Sequence, residues 1–365
     1  MTTLPAICDL SVTNVCNAAC DFCGFARDKN LVGAARYVDA AALSRALPIL
    51  FRRGIRHMTL QGGEPLVHPE IVKLVSEIAG AGISCAIITN GWFLSRYIEA
   101  LAAAGLDRLI VSIDTADITE HEEHRGLQGL ERRLADGIGR ARAHGIPVQA
   151  SVTVSRLVRY DELPQTLRRL GFDDVSFSYP RRDPLGSSSL VYADSPLVDL
   201  DRDEMLKALD AIGRLKSRFP VMNPRASLAE IGRYVRGEPQ YIPCIGGHKY
   251  FYLDWDLNIW RCEAWSEPLG SVFDLETIPD QREPCNACMM GCYRSASMLM
   301  HAPIAAADAG RALSAGEIKK GLALLFRRSV AASFAAMMTE VPKIVMRKRK
   351  RRVARAGARL GVSTG

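Results

Sequence analysis

Over its first 180 residues the chain alternates short β-branched runs with helix-period segments, and this alternation constrains its fold more than any other feature. Residues 6–13, 55–61, 83–89, 108–114, 147–154 and 174–178 read as strands. Residues 39–53, 69–81, 95–104, 127–143 and 160–170 read as the helices between them. Strand, helix and strand joined by short links imply parallel pairing through right-handed crossovers. The expected class is α/β, a partial (β/α)6 barrel of the TIM type, with its working groups on loops at the C-terminal strand ends.

The pattern stops at residues 181–200, which are rich in Pro, Ser, Asp and Gly. Residues 203–219 and 226–236 look helical, 241–297 hold five cysteines and three tryptophans, and 316–338 read as one helix. The expected layout is a core barrel over 1–200, a helical connection over 201–240, a small cysteine-rich domain over 241–300, a helical segment over 301–342 and a basic tail over 343–365. With 48% apolar and 24% charged residues, wholesale disorder is excluded. Ten cysteines in 365 residues are too sparse for a secreted disulfide scaffold. No basic-then-apolar leader opens the chain, and Arg327 and Arg328 interrupt the apolar stretch 322–338, so neither a signal peptide nor a spanning helix is expected. The expected location is the cytoplasm, where clustered thiols serve as metal ligands.

Cys16-Asn-Ala-Ala-Cys20-Asp-Phe-Cys23 follows the first strand directly. Three thiols on one loop suit a [4Fe–4S] cluster with one iron left open, and a zinc loop or buried structural thiols are the alternatives. Gln61-Gly62-Gly63-Glu64-Pro65 ends the second strand. Its glycines allow close approach to the backbone, and Glu64 offers a carboxylate. It reads either as a site for an amino acid's polar ends or as an ordinary strand-to-helix turn.

Cys-x3-Cys-x2-Cys after the first strand, Phe22 before its last cysteine and Gly-Gly-Glu-Pro after the second strand together resemble the radical S-adenosylmethionine (radical SAM) superfamily, over about residues 5–180. The resemblance implies that Cys16, Cys20 and Cys23 hold a [4Fe–4S] cluster whose open iron is chelated by S-adenosylmethionine. It implies that Gly62, Gly63 and Glu64 bind the amino group of that molecule and that Phe22 lies by its adenine. By the same likeness Asn90, Ser112, Asp114 and Ser151 are ribose or carboxylate contacts, or else polar barrel residues bonded internally. An electron donor such as flavodoxin or ferredoxin would reduce the cluster, giving a 5′-deoxyadenosyl radical that abstracts hydrogen or adds to an unsaturated carbon.

Cys244, Cys262, Cys285, Cys288 and Cys292 form a second group, with residues 251–262 reading as a hairpin. This arrangement resembles the twitch form of the SPASM-type auxiliary-cluster domains and lacks the longer SPASM cysteine run. It implies one auxiliary [4Fe–4S] cluster on Cys244, Cys262, Cys285 and Cys288, with Cys292 as an alternative ligand. Structural zinc is the other reading of four such thiols. Cys8 and Cys85 fall inside strands and read as buried small hydrophobes, a hydrogen-donor role for Cys85 being the alternative.

Nine of the basic residues lie between Lys343 and Arg359 with no acid among them, so the net +7 leaves about −2 for the rest. A nucleic-acid partner is therefore not expected. Ile318, Leu322, Leu325, Val330 and Phe334 recur at helical intervals beside Lys319, Lys320, Arg327 and Arg328. With the tail they read either as a device for lying on an anionic inner-membrane surface or as a packed helix with a solvated end. Cys-x2-Cys-Met-x2-Cys at 285–292 is similar to the radical SAM enzymes of hopanoid biosynthesis, of the adenosyl-hopene transferase type. That likeness makes an isoprenoid or other lipid the expected substrate. A ribosomal peptide, a small alcohol undergoing dehydrogenation, and a zinc-stabilised binding protein without enzymatic activity are the alternatives.

Overall fold

The computed structural model describes residues 4–27, 33–180 and 195–342. The basic tail and most of the 181–200 connection lie outside the described residues. Six parallel strands form in the expected places: β1 (Ala6–Thr13), β2 (Ile55–Gly62), β3 (Ser84–Thr89), β4 (Arg108–Ser112), β5 (Val148–Thr153) and β6 (Asp174–Ser178). They pair in chain order, and β7 (Tyr250–Leu253) lies parallel to β1 on its other side. Antiparallel β8 (Asn258–Trp260) and β9 (Gly270–Ser271) complete a nine-stranded sheet. The fold is the partial, parallel-dominated α/β barrel that the alternation implies.

Helices α1 (Gly24–Arg27), α2 (Ala40–Arg52), α3 (Ile71–Gly80), α4 (Leu94–Ala103), α5 (Ile118–Arg125), α6 (Leu130–Ala143) and α7 (Leu163–Arg169) fall between these strands. In α2 the Asp39 side chain caps Ala42 N–H, and Leu43, Ala46, Leu47 and Leu50 make the buried stripe. Helix α5 escapes the apolar pattern because its buried face is Ile118, His121 and Arg125, largely polar at helical spacing. Its ends carry clear signals, since Asp117 caps the first turn and Gly126 stops the helix in the left-handed region at φ 63°.

The strands separate two chemistries by alternation. Met58, Leu60, Cys85, Ile87, Leu109, Val111, Ala150 and Val152 face the helices and are buried. Thr59, Gln61, Ser112, Ser151, Thr153, Ser176 and Ser178 point to the other, inner face and are only half-buried. Cys8 and Cys85 are both on the helix-facing side, remote from anything held against the inner face. At the N-terminal strand ends Arg108 closes that face, donating to Gln149 at 2.9 Å and to Asp174 at 3.2 Å.

The chain divides into two compact units. The first comprises residues 1–222, 245–283 and 289–291, so the hairpin of β7 and β8 belongs with the barrel strands and not with a separate cysteine-rich domain. Helix α8 (Arg202–Leu215) opens with a capping box between Asp201 and Glu204 and also lies in this unit. The second unit comprises 223–244, 284–288 and everything from Cys292 onward. It contains α9 (Arg225–Val235), nearly all of α10 (Gly291–Ser314), α11 (Ile318–Leu325) and α12 (Arg328–Pro342). Ile242, Met298 and Ala336 form its small core. The single helix expected over 316–338 is instead broken at Phe326–Arg327, with a bend of 51°.

At the seam where β7 joins β1, Tyr250 donates to Asp9 at 2.9 Å, and Gln61 donates to Glu263 at 2.6 Å. Burial raises the pKa of both carboxyls, Asp9 and Glu263, and the charge of Asp9 raises that of Glu263 further. A carboxyl whose folded pKa exceeds its unfolded one keeps a proton that the unfolded chain has released. The folded state therefore loses stability as pH rises from the ordinary carboxylate range toward about 8. Thermal melts across that range are expected to show a shallower decline for Asp9→Asn than for the native chain, and parallel profiles would contradict this assignment.

Candidate functional site

The loop from Asn14 to Cys23 leaves the C-terminal end of β1 and is tied to its surroundings at three places. The first is the turn after β2. Gly63 N–H donates to Thr13 C=O and Glu64 N–H to Val15 C=O, both at 2.8 Å. A Cβ at Gly62 would stand 2.2 Å from Thr13 O, and one at Gly63 2.2 Å from Val15 O. Gly62 also sits at φ 127°, which side-chain-bearing residues rarely adopt. The glycines are therefore required by the contact between two stretches of backbone, and these two N–H groups are spent inside the chain.

The second tie is the end of β3. Glu64 is 1% exposed, and it accepts from Thr89 Oγ1 at 2.6 Å, Asn90 N–H at 2.7 Å and Leu66 N–H at 3.0 Å. Burial raises its pKa against these hydrogen bonds, which lower it. The Asn90 side chain donates to Asn17 Oδ1 at 2.9 Å and accepts Trp92 N–H at the same distance. Glu64 and Asn90, both expected to contact a ligand, thus join the strand ends to the cysteine loop.

The third tie is the end of α5. Ala19 N–H donates to Arg125 C=O at 2.8 Å, and Asp21 N–H donates to His124 Nε2 at 3.2 Å. The ring of Phe22 packs on that of His124 with centroids 4.7 Å apart. Asp114 stands just past β4 and is 1% exposed. Its two oxygens receive Arg125 Nη2 at 2.7 Å and Nε at 2.8 Å, and His124 Nδ1 at 2.8 Å. Burial alone would raise the Asp114 pKa, and the Arg125 guanidinium holds it well below the carboxylate range instead. Asp114 is therefore engaged internally with Arg125 and His124. The sequence reading missed His124 and Arg125; the signal for them was the helix flanked by Asp117 and Gly126. Ser112 and Ser151 are cross-strand neighbours on the inner face, half-buried and facing the barrel interior.

Cys16, Cys20 and Cys23 are free thiols within one another's electrostatic reach. Burial pushes Cys16 and Cys20 up to about 12 and raises Cys23 as well, so binding iron there must displace protons. Ala18 N–H donates to Cys16 Sγ at 3.4 Å. An all-sulfur donor set on one loop, beside a buried guanidinium, fits an iron–sulfur cluster. Among the described residues no three His, Cys, Asp or Glu side chains are gathered to hold a single metal ion.

Cys244, Cys262, Cys285, Cys288 and Cys292 are in no disulfide. Cys244, Cys285, Cys288 and Cys292 belong to the second unit and Cys262 to the first. Cys244 N–H donates to Cys285 C=O at 2.9 Å, which brings those two segments together. Beside them Arg294 pairs with Glu230 at 3.4 Å and donates to Ile242 C=O at 2.8 Å, while Glu230 accepts Tyr241 N–H and Ile242 N–H. This buried ion pair sets the course of the chain into Cys244.

Gly63→Ala is expected to cost about 3 kcal/mol or more, because its Cβ meets backbone that cannot move aside. Denaturant titration and iron content after reconstitution both measure the effect. Native-like stability with full iron loading would refute the close approach.

Residues 10–176 match the Radical SAM superfamily. The chain is 33% identical over 164 residues to the GTP 3′,8-cyclase of Rhodopseudomonas palustris (strain TIE-1), covering 44% of this chain and 47% of that one. It is likewise 33% identical over 164 residues to the AdoMet-dependent heme synthase of Methanosarcina barkeri (strain Fusaro), covering 43% and 44%. The chain thus spans about half the length of these curated relatives. The fold is similar to that of Streptococcus suis SuiB bound to its precursor peptide SuiA, with a TM-score of 0.55 at 16% identity over 72% of this chain and 61% of that one. Over residues 10–176 the chain thus resembles the radical SAM superfamily.

Proposed function

We propose that the chain is an enzyme using a [4Fe–4S] cluster on Cys16, Cys20 and Cys23, together with S-adenosylmethionine, to modify an unactivated carbon of an isoprenoid or other lipid. The observation that carries the chemistry is the placement of three free thiols on one loop, tied at the ends of β2, β3 and α5 inside the matched domain. When bound, the cluster supplies one electron that cleaves S-adenosylmethionine to a 5′-deoxyadenosyl radical. The chain's own part is to hold the loop, to bury it from water, and to offer Ser112 and Ser151 on the inner face of the barrel. The places of Phe22, Gly62, Gly63 and Glu64 against S-adenosylmethionine remain part of this proposal. So does a single auxiliary cluster on Cys244, Cys262, Cys285 and Cys288, with Cys292 as the alternative ligand.

A lipid substrate is supported by the second unit. Ile318, Leu322 and Phe326 are 61%, 46% and 85% exposed along one face of α11 and its end, and Phe334 and Met338 of α12 are 59% and 62% exposed. Lys319, Lys320, Arg327 and Arg328 stand among them. An apolar strip with basic neighbours matches an anionic bilayer surface, where each basic residue contributes about 1 kcal/mol. No single helix among the described residues is long and apolar enough to cross a membrane, although the bent pair α11 and α12 together passes by length and composition. The reading is peripheral association at the inner surface of the membrane.

A second reading, a peptide or small alcohol, is favoured by the polar groups that Thr59, Gln61, Ser112, Ser151, Thr153, Ser176 and Ser178 bring to the inner face. The fold's similarity to SuiB with its precursor peptide points the same way.

Anaerobic incubation with dithionite and S-adenosylmethionine is expected to yield 5′-deoxyadenosine, and Cys16→Ala should lower that yield at least about 100-fold. An adduct or altered species in lipid extracts incubated with the enzyme would support the lipid reading. Turnover on peptides with unchanged lipids would replace it. In flotation with phosphatidylglycerol-containing vesicles, Phe326→Asp with Leu322→Asp is expected to weaken binding about 10-fold or more; equal flotation of native and variant chains would contradict the surface assignment.

A further inference from the structure

We propose that Arg125, clamped by Asp114 and His124, is a positioning residue that fixes the cysteine loop and places a permanent positive charge beside it, raising the reduction potential of the cluster held there. The inference rests on the reading that Cys16, Cys20 and Cys23 bind a [4Fe–4S] cluster.

The geometry is specific. Arg125 is 7% exposed, and its guanidinium grips Asp114 with two parallel bonds of 2.7 and 2.8 Å. Such a two-pronged pair fixes where the charge sits. His124 is oriented from both sides. Its Nε2 accepts Asp21 N–H, so its proton resides on Nδ1 and is donated to Asp114. The backbone closes the clamp through Arg125 C=O and Ala19 N–H. Gly126 completes it, since a Cβ there would lie 3.1 Å from the Ala19 Cβ at φ 63°. Residues 19, 21 and 22 of the loop are thus each held by residues 124–126, the arrangement by which outer groups orient metal ligands elsewhere.

The charge acts on the whole loop. Arg125 interacts electrostatically with Cys16, Cys20, Cys23 and Glu64. Reduction adds one electron, from an external low-potential donor, to a centre already surrounded by thiolates. A buried cation in a low-dielectric site favours the more negative product, so the potential rises. Asp114 opposes this charge while fixing its place, which gives the two residues opposite electrostatic signs.

The test uses the reconstituted full chain with dithionite in redox titrations followed by electron paramagnetic resonance. The relevant signal is the one that changes when S-adenosylmethionine is added. With iron content matched, Arg125→Met is expected to shift the midpoint to more negative values, Arg125→Lys to stay near the native value, and Asp114→Asn to shift it to more positive values. A purely structural role would move Arg125→Met and Asp114→Asn in the same direction, and that result, or a midpoint unchanged in both, overturns the inference. If Arg125→Met takes up no iron, the sign of the Asp114→Asn shift decides. A native chain that takes up no iron on the three cysteines would overturn the cluster reading itself.

Discussion

The close approach of two stretches of backbone, Gly62–Gly63 on one side and Thr13–Val15 on the other, is the constraint on which the rest of the site depends. Only hydrogen atoms fit where side chains would begin, at 2.2 Å from carbonyl oxygens on both sides. Because the turn is seated there, Glu64 reaches across to Thr89 and Asn90 and Asn90 reaches on to Asn17. One short contact thereby holds three strand ends and the cysteine loop in register. The glycines that looked from their pattern like a ligand cradle act first as a spacer between chain segments.

The barrel sheet shows a division of labour that follows from strand geometry. Residues facing the helices are apolar and fully buried, and they supply the core. The inner face mixes hydroxyl- and amide-bearing residues such as Thr59, Ser112, Ser151 and Ser176, which are half-buried, with apolar Ala86, Ile88 and Ile110. Cys8 and Cys85 fall on the first side, which explains their burial among apolar neighbours and separates them from the thiols of the loop. The buried carboxyl pair of Asp9 and Glu263 sits where β7 is added to this face, so the added strand brings titratable groups as well as a hairpin.

Electrostatics at the cysteine loop depend on a helix whose inward face is polar. In α5, His121 and Arg125 occupy positions that leucines fill in α2 and α4. Burying a guanidinium is costly unless it is paired, and Asp114 provides the pairing. A fold built only for stability would have an apolar stripe there. The retained ion pair instead brings a charge within electrostatic reach of the loop cysteines.

Periodicity was sufficient to locate all six barrel strands, five of the helices between them and the β7–β8 hairpin, because each buries one face and so repeats at its own interval. The three loop cysteines and the Gly-Gly-Glu turn were legible for a related reason, since their chemistry needs particular residue types at short, fixed spacing. Helix α5, the break between α11 and α12, and the grouping of the hairpin with the barrel were not legible. Nor was the commitment of Asp114 to Arg125 and His124. Those features arise from contacts between residues distant in the chain or from polar groups buried in pairs, and one-dimensional patterns of hydrophobicity do not record which polar group faces which. The sequence alone determined the scaffold and the thiol loop; the tertiary structure decided which polar side chains are spent holding that loop and which remain on the inner face.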